Sequence, residues 1–532
     1  MLMLRSFDRA RHQNAWGKSI MAISRRDVLL RGSAIGVGII AANVPGLVAF
    51  AQPLPPLRRS LHGLALNDPI LQAWRDGVRL LKARPASDPV SWANFAAIHG
   101  SDAGFNLCPH GNWYFLPWHR AYLLMYERTV RQLTGFSDFA LPYWDWTLDR
   151  QMPQAFVDPT FAGNPNPLFE AQRDASPLDS LPDNTVGQTI INQILLDAPF
   201  EVFGTSRPAG QNNLDQSWVN CEFCGTFGRL EQTPHNLVHV FVGGIMGQAN
   251  SALDPIFMMH HCNIDRIWWM WNQGGGVNSP DPLWTDMTFQ NNFFNPDGTV
   301  FVPKVSDLQV PEPLGYTYNI APALTATSTF TQPAAVVAQH DKIRSIYGKP
   351  NLADVQVTGV TTYFAQNTQT ATPAKYLEVP VEVTVSSVKA VANRQSPSSG
   401  LETLSLEKAR TLAASGPRAY AFLRDVDYAQ QENTEYRVFI DCDYLSPETP
   451  ITDRHYVGSF GFFGGHGSHA GKGSGKPSVA LDLTSAIQRV YGSVADPSGR
   501  IRLQVQPVPL RPKDKADGTA KPSKVEIAFV SA

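Results

Sequence analysis

From about residue 60 to 320, apolar and aromatic positions recur at helical spacing, interrupted by loops rich in Pro, Gly and Asn. The pattern predicts helices over Ser91–His99 and Ala121–Leu133. Two more open at Thr233-Pro234-His235 and at Asp254-Pro255, where a short polar side chain can cap the helix and Pro can take its first position. Glu170–Asp183 and Thr205–Gln216 read as loops. Ala321–Gln339 is a low-complexity run of Ala, Thr, Pro and Gln, read as a linker. Beyond it the period changes to two. Tyr376–Val388, Tyr436–Ile440, Val479–Leu483, Ile501–Val505 and Val525–Val530 alternate β-branched or aromatic residues with polar ones, and Ala392–Gly400 forms a second polar joint. The expected architecture is a mainly α domain followed by a C-terminal β-sandwich or barrel-like domain, with no internal repeat.

The N-terminus has a different texture. Basic residues, among them Arg25, Arg26 and Arg31, precede an uncharged stretch from Gly32 to Ala51 that ends in Ala49-Phe50-Ala51. That order fits a cleaved export signal, and Ser24-Arg25-Arg26-Asp27-Val28-Leu29 resembles the twin-arginine consensus. Residues 1–51 are therefore expected to be a twin-arginine signal, with Met21 as an alternative start. Residues 52–320 follow as the helical domain, 321–372 as linker and 373–532 as the β domain. An exported protein, periplasmic or secreted, is expected, with the twin-arginine machinery as a partner and no stable membrane anchor.

Composition narrows the function. The chain has 532 residues, 43% of them hydrophobic and 17% charged, with a net charge of −2. It can bury a large core, and it lacks the positive field that holds nucleic acid. Five Cys in a chain of this length exclude a disulfide scaffold. Cys221 and Cys224 form a lone CxxC pair that suits a local disulfide better than a zinc site. Cys262 and Cys442 read as packing residues, and His466 and His469 as part of a solvated Gly-rich loop.

Histidine carries the candidate chemistry. Of 13 His, seven lie between His99 and His261. His235 and His239, four apart, share one helix face and can bind one ion. The adjacent His260 and His261 point about 100° apart on a helix, so at most one of them faces that ion. His99, His110 and His119 form a second group, with Glu127 two turns after His119. Three neutral imidazoles suit Cu, Zn, Fe or Ni, and Cu is bound most tightly of the divalent ions. Catalytic zinc is the alternative metal, although no HExxH pattern is present; haem attachment lacks its Cys-x-x-Cys-His.

Cys108-Pro109-His110, Phe115-Leu116-Pro117-Trp118-His119-Arg120, Leu123 and Glu127 resemble the first copper signature of the tyrosinase/polyphenol oxidase family. Asp254-Pro255-Ile256-Phe257, His261 and Asp265 resemble the second. The resemblance implies a helical bundle holding two copper ions, with O2 as co-substrate. His99, His110 and His119 would bind copper A, and His235, His239 and His261 copper B. His260 would then serve in packing or support. It further implies that Glu231 and Asn236 hold a water that accepts a phenol proton, and that Cys108 forms a thioether with His110.

Tyr316-Thr317-Tyr318 resembles the motif that closes the family's catalytic domain. Arg437–Asp441 and Tyr456–Phe460 resemble the C-terminal domain of plant-type polyphenol oxidases, here in a bacterial setting. That domain is expected to act as a lid, with Phe460, Phe462 or Phe463 occupying the substrate position. The activity implied is oxidation of o-diphenols to o-quinones, with monophenol hydroxylation. A catechol oxidase lacking hydroxylation, an o-aminophenol oxidase and a haemocyanin-like O2 carrier remain as alternatives. Small phenols are the expected partners.

Overall fold

The computed structural model describes residues 55–197, 199–319, 334–352, 360–366, 377–380, 383–386, 402–403, 418–428, 433–464, 475–491, 502–511, 513–514 and 520–530. The signal expected over 1–51, the joint 392–400 and both His466 and His469 lie outside these residues.

The helical part is organised by α1 (Pro69–Lys82), α2 (Trp92–His99), α3 (Phe115–Thr134), α4 (Asn236–Val242) and α5 (Ile256–Gln273). Local chemistry sets their ends. Ser91 caps α2 by accepting from the Asn94 N–H at 3.1 Å, and Gly135, left-handed at φ 70°, terminates α3. Asp254 accepts from the Ile256 N–H at 3.0 Å at the head of α5. The helix holding His235 begins differently from the expected Thr233 cap. Glu231–His235 forms a wide π turn that runs into α4. Such a turn accommodates Pro234, which has no N–H to donate. The Thr233 hydroxyl instead donates to the Ser459 carbonyl at 2.9 Å.

The helices α3 and α5, which carry His119 and His261, are tied by a buried ionic network. Asp265 accepts from Arg120 Nε at 2.6 Å, from Arg58 Nη1 at 3.0 Å, and from the Tyr316 and Tyr318 hydroxyls at 2.8 and 2.6 Å. Glu127 takes Arg58 Nε at 2.9 Å and Arg131 at 2.8 Å. Burial alone would raise the Asp265 carboxyl, but Arg120 and Arg58 hold it below its ordinary value.

Among the described residues the β part has two main sheets, beside a two-stranded pairing of Asp427–Tyr428 with Ala520–Lys521. Seven strands lie in the order β5-β4-β2-β11-β6-β9-β1. They are β1 (Thr226–Phe227), β2 (Val360–Gln366), β4 (Val383–Ser386), β5 (Glu402–Thr403), β6 (Arg418–Arg424), β9 (Ser478–Asp482) and β11 (Lys524–Val530). The second sheet runs β3-β10-β7-β8, from β3 (Leu377–Pro380), β10 (Arg502–Pro509), β7 (Thr434–Ile440) and β8 (Tyr456–Phe460). The run expected over Tyr376–Val388 thus divides between two sheets at Pro380, which cannot donate a ladder hydrogen bond. A helix, α6 (Ala334–Tyr347), and strand β2 both fall inside the stretch expected as linker. Because β1 comes from the helical part and pairs with β9, the β sheet and the helices form one compact unit over Pro55–Ala532. No helix among the described residues is long and apolar enough to cross a membrane.

Candidate active site

The π turn, α2, α3, α4, α5 and the loop before α3 that holds His110 bring the seven central His together in the interior, each at most 2% exposed. They fall into two groups, His99, His110 and His119 with Cys108, and His235, His239, His260 and His261. Within each group the candidate ligand atoms lie within 4.8 Å of one another. The groups face each other, with the His119 and His261 rings stacked at 4.2 Å and those of His110 and His235 at 5.7 Å.

Backbone carbonyls set the imidazole tautomers. Nδ1 of His99 bonds the Ala249 carbonyl, Nδ1 of His119 the Phe115 carbonyl and Nδ1 of His239 the Met246 carbonyl, each at 2.8 Å. A carbonyl only accepts, so each Nδ1 carries the proton and each Nε2 keeps a lone pair. His235 Nδ1 is held by the Asn236 side-chain oxygen at 2.8 Å. The Nε2 atoms of His99 and His235 are buried without a hydrogen-bond partner. Burial pulls His99 down to about 3 and holds the other ligand candidates well below the ordinary imidazole value. Neutral imidazoles whose candidate ligand atoms lie within 4.8 Å of one another in each group make a donor set that fits two metal ions.

The neighbours refine the expectations. Cys108 Sγ lies 3.8 Å from His110 Nε2 but 3.2 Å from His119 Nε2, so its nearer imidazole nitrogen belongs to His119. His260 is inside the second group, its ring 5.4 Å from that of His235 and 4.7 Å from that of His239. Both of its nitrogens lack a hydrogen-bond partner. Cys221 and Cys224 are bridged, and Cys262 and Cys442 are free and buried.

Glu231 is fully buried. Its Oε1 accepts from the Gly111 N–H at 2.8 Å and its Oε2 from the Thr205 hydroxyl at 2.5 Å. Burial pushes its carboxyl up to about 8 against the pull of these two bonds. Asn236 donates its side-chain N–H to the Gly461 carbonyl at 2.9 Å.

The three Phe of the β part have separate fates. Phe460 stacks on Tyr436 at 5.3 Å and Phe462 on Tyr428 at 4.1 Å, inside the β core. Phe463 enters the His cluster and lies over His239 at 3.8 Å and 20°, with the His110 and His235 rings at 5.4 and 5.6 Å. Glycine permits this approach: a Cβ on Gly461 would meet Leu237 at 2.4 Å, and one on Gly464 would meet Phe105 at 2.1 Å. Sequence reasoning missed Phe105, Phe115 and Phe257 as site residues. Phe105 lies 4.0 Å from the His110 ring, Phe115 4.6 Å from His235, and Phe257 4.1 Å from His261. Phe115 and Phe257 stand inside the copper-like motifs; Phe105 carries no local signal.

A helical core with two buried groups of imidazole donors, packed against β sheets, fits a site for two metal ions. Residues 89–274 match the common central domain of tyrosinase. A tyrosinase from Hahella sp. (strain CCB-MM4), HcTyr1, is 30% identical over 305 residues, 49% of this chain and 63% of that protein. A chloroplastic polyphenol oxidase from Malus domestica is 30% identical over 281 residues, 47% of this chain and 46% of that protein. The chain thus spans about half to 63% of the length of these curated relatives. Among solved structures, latent apple tyrosinase aligns with TM-score 0.60 and 22% identity over 90% of this chain and 98% of that one. Latent aurone synthase aligns with TM-score 0.58 and 19% identity over 91% of each chain. Both share this chain's fold of helical core and C-terminal sheets. Over residues 89–274 the chain is thus similar to the central domain of the tyrosinase and polyphenol oxidase family.

Proposed function

We propose that the protein is an exported type-3 copper phenol oxidase. It converts o-diphenols to o-quinones with O2 and hydroxylates monophenols first. The observation that carries this reading is the pair of facing imidazole triads whose Nδ1 atoms are largely tethered and whose Nε2 atoms converge. His99, His110 and His119 would hold one ion, and His235, His239 and His261 the other. A bound copper pair supplies the electron transfer between phenol and O2: two o-diphenols give up four electrons and four protons, yielding two o-quinones and two waters. The chain's own residues do the rest. Phe105, Phe115 and Phe257 surround the His rings with aromatic faces, apolar surroundings suited to a phenol ring. Glu231 accepts the monophenol's proton through a water that Asn236 helps to hold.

The C-terminal part acts as a lid, with Phe463 standing where the phenol ring would bind. The support is its stacking on His239 and the fold shared with two neighbours described as latent. In this closed arrangement the Asn236 amide is engaged by Gly461, so opening would free the residue that helps to hold the water.

The test is to load the protein with Cu and with Zn separately, measure metal per chain, and follow O2 uptake with L-tyrosine, L-DOPA and o-aminophenol. About two Cu per chain and uptake on L-DOPA are expected, with L-tyrosine oxidised after a lag. One Zn per chain with no copper-dependent uptake would overturn the reading. Uptake with o-aminophenol alone would move it to the aminophenol oxidases.

A further inference from the structure

Thr205 sits in the loop after the short helix Phe200–Gly204 with φ 97° and ψ 144°. That region of backbone space belongs almost entirely to glycine, and a β-branched side chain is strained there. Thr205 is fully buried. Its hydroxyl oxygen accepts from the Gly228 N–H at 2.9 Å, so its single hydrogen is left for Glu231 Oε2 at 2.5 Å. The next residue is pinned as well: Ser206 N–H donates to the Thr226 carbonyl at 3.0 Å, and Thr226 N–H donates to Ser206 Oγ at 2.8 Å. On the other side, the Gly111 N–H, beside His110, grips Glu231 Oε1. The Glu231 carboxyl, four residues ahead of His235, is therefore clamped between the loop that holds His110 and Thr205. Glycine would fit this backbone without strain, and valine would fill the same volume. Neither could make both hydrogen bonds.

We propose that Thr205 is the positioning residue for the Glu231 carboxyl: its hydroxyl fixes the orientation in which that acid can serve as proton acceptor. The inference rests on the reading of Glu231 given above, and the experiment separates the two. Thr205→Val, Thr205→Ser, Thr205→Gly and Glu231→Gln are compared in the full chain. In copper-free protein, infrared difference spectra against Glu231→Gln isolate the Glu231 carboxyl. In copper-loaded protein, turnover of L-tyrosine is compared with that of L-DOPA.

Thr205→Val and Thr205→Gly should both displace the Glu231 band. They should also lower the L-tyrosine rate roughly tenfold relative to L-DOPA, as expected for loss of a hydrogen bond to a charged group. Thr205→Ser should restore both. Thr205→Gly relieves the backbone strain, which offsets part of the cost of the two lost hydrogen bonds, so it decides the matter should the valine variant fail to fold. An unmoved infrared band in Thr205→Gly, or no rescue by serine, overturns the role of Thr205. If Glu231→Gln loses both substrates equally, the proton-acceptor reading fails, and the infrared arm alone then decides whether Thr205 positions the carboxyl.

Discussion

Replacing Phe463 with Ala removes the ring that stacks on His239 and leaves the rest of the β part in place. Phe463 is 4% exposed and touches the His99, His110, His235 and His239 rings. Burying such a side chain stabilises the closed arrangement by roughly 2 kcal/mol. Other contacts hold the same segment to the helical core: Gly461 N–H to the Gln232 carbonyl at 2.9 Å, Asn236 to Gly461, and Thr233 to Ser459. Arg511 also reaches the Phe241 carbonyl at 2.8 Å. The variant should therefore stay folded and closed at its periphery while the aromatic slot opens.

If Phe463 stands in the phenol position, as proposed, the two compete for one space and the ring is an internal competitive inhibitor. The apparent KM scales inversely with the fraction of open molecules. Losing roughly 2 kcal/mol from the closed state raises that fraction by about 30-fold where the closed state dominates. O2 uptake with catechol should show KM falling by up to about 30-fold with kcat nearly constant. Copper content and far-ultraviolet dichroism should match the parent. A KM within threefold of the parent at full copper loading would refute the competition argument. Phe462→Ala is the control. It weakens the β core and should lower the melting temperature without the same fall in KM.

Asp265→Leu would leave Arg58 and Arg120 buried without their shared carboxylate, which should cost about 3–5 kcal/mol and register as a lower melting temperature in copper-free protein. Little change would mean that the network does not hold α3 to α5. Glu231 is raised to about 8 when folded, so its contribution to stability is complete below the ordinary carboxylate range and is lost as pH rises through about 8. The buried imidazoles titrate alike in both proteins, so the melting temperature of copper-free parent should drop relative to that of Glu231→Gln between pH 5 and 8; parallel curves would refute this. His239→Ala removes one Nε2 donor from the second triad and should reduce copper to about one per chain, read by metal analysis.

The legible part of this site is the part that repeats a spacing. His235 and His239 are four apart, and the Asp254-Pro255 start announces α5, so these His could be grouped from sequence alone. Spacing failed where backbone geometry departed from the regular helix. The π turn at Glu231–His235 absorbs Pro234 and releases Thr233 to the β part, and no pattern in the residues distinguishes it from a capped start. His260 was expected to serve in packing or support beside His261, and its ring lies 5.4 Å from that of His235.

What the sequence could not disclose is pairing at long range. Arg58 lies 69 residues from Glu127 and 207 from Asp265, and nothing near it marks it as the buried cation that both carboxylates require. The same limit governs the lid. Three Phe within four positions have equal claim as a pocket plug on composition, and chain direction decides between them. The last strand residue, Phe460, faces the core of its own sheet, and Phe462 follows it onto Tyr428. Only beyond Gly461, where the absent Cβ admits Leu237, does the chain pass close enough to α4 for Phe463 to reach His239. The contact that would make the protein latent is thus set by a glycine and a strand end, two features whose meaning appears only when the helices against them are in place.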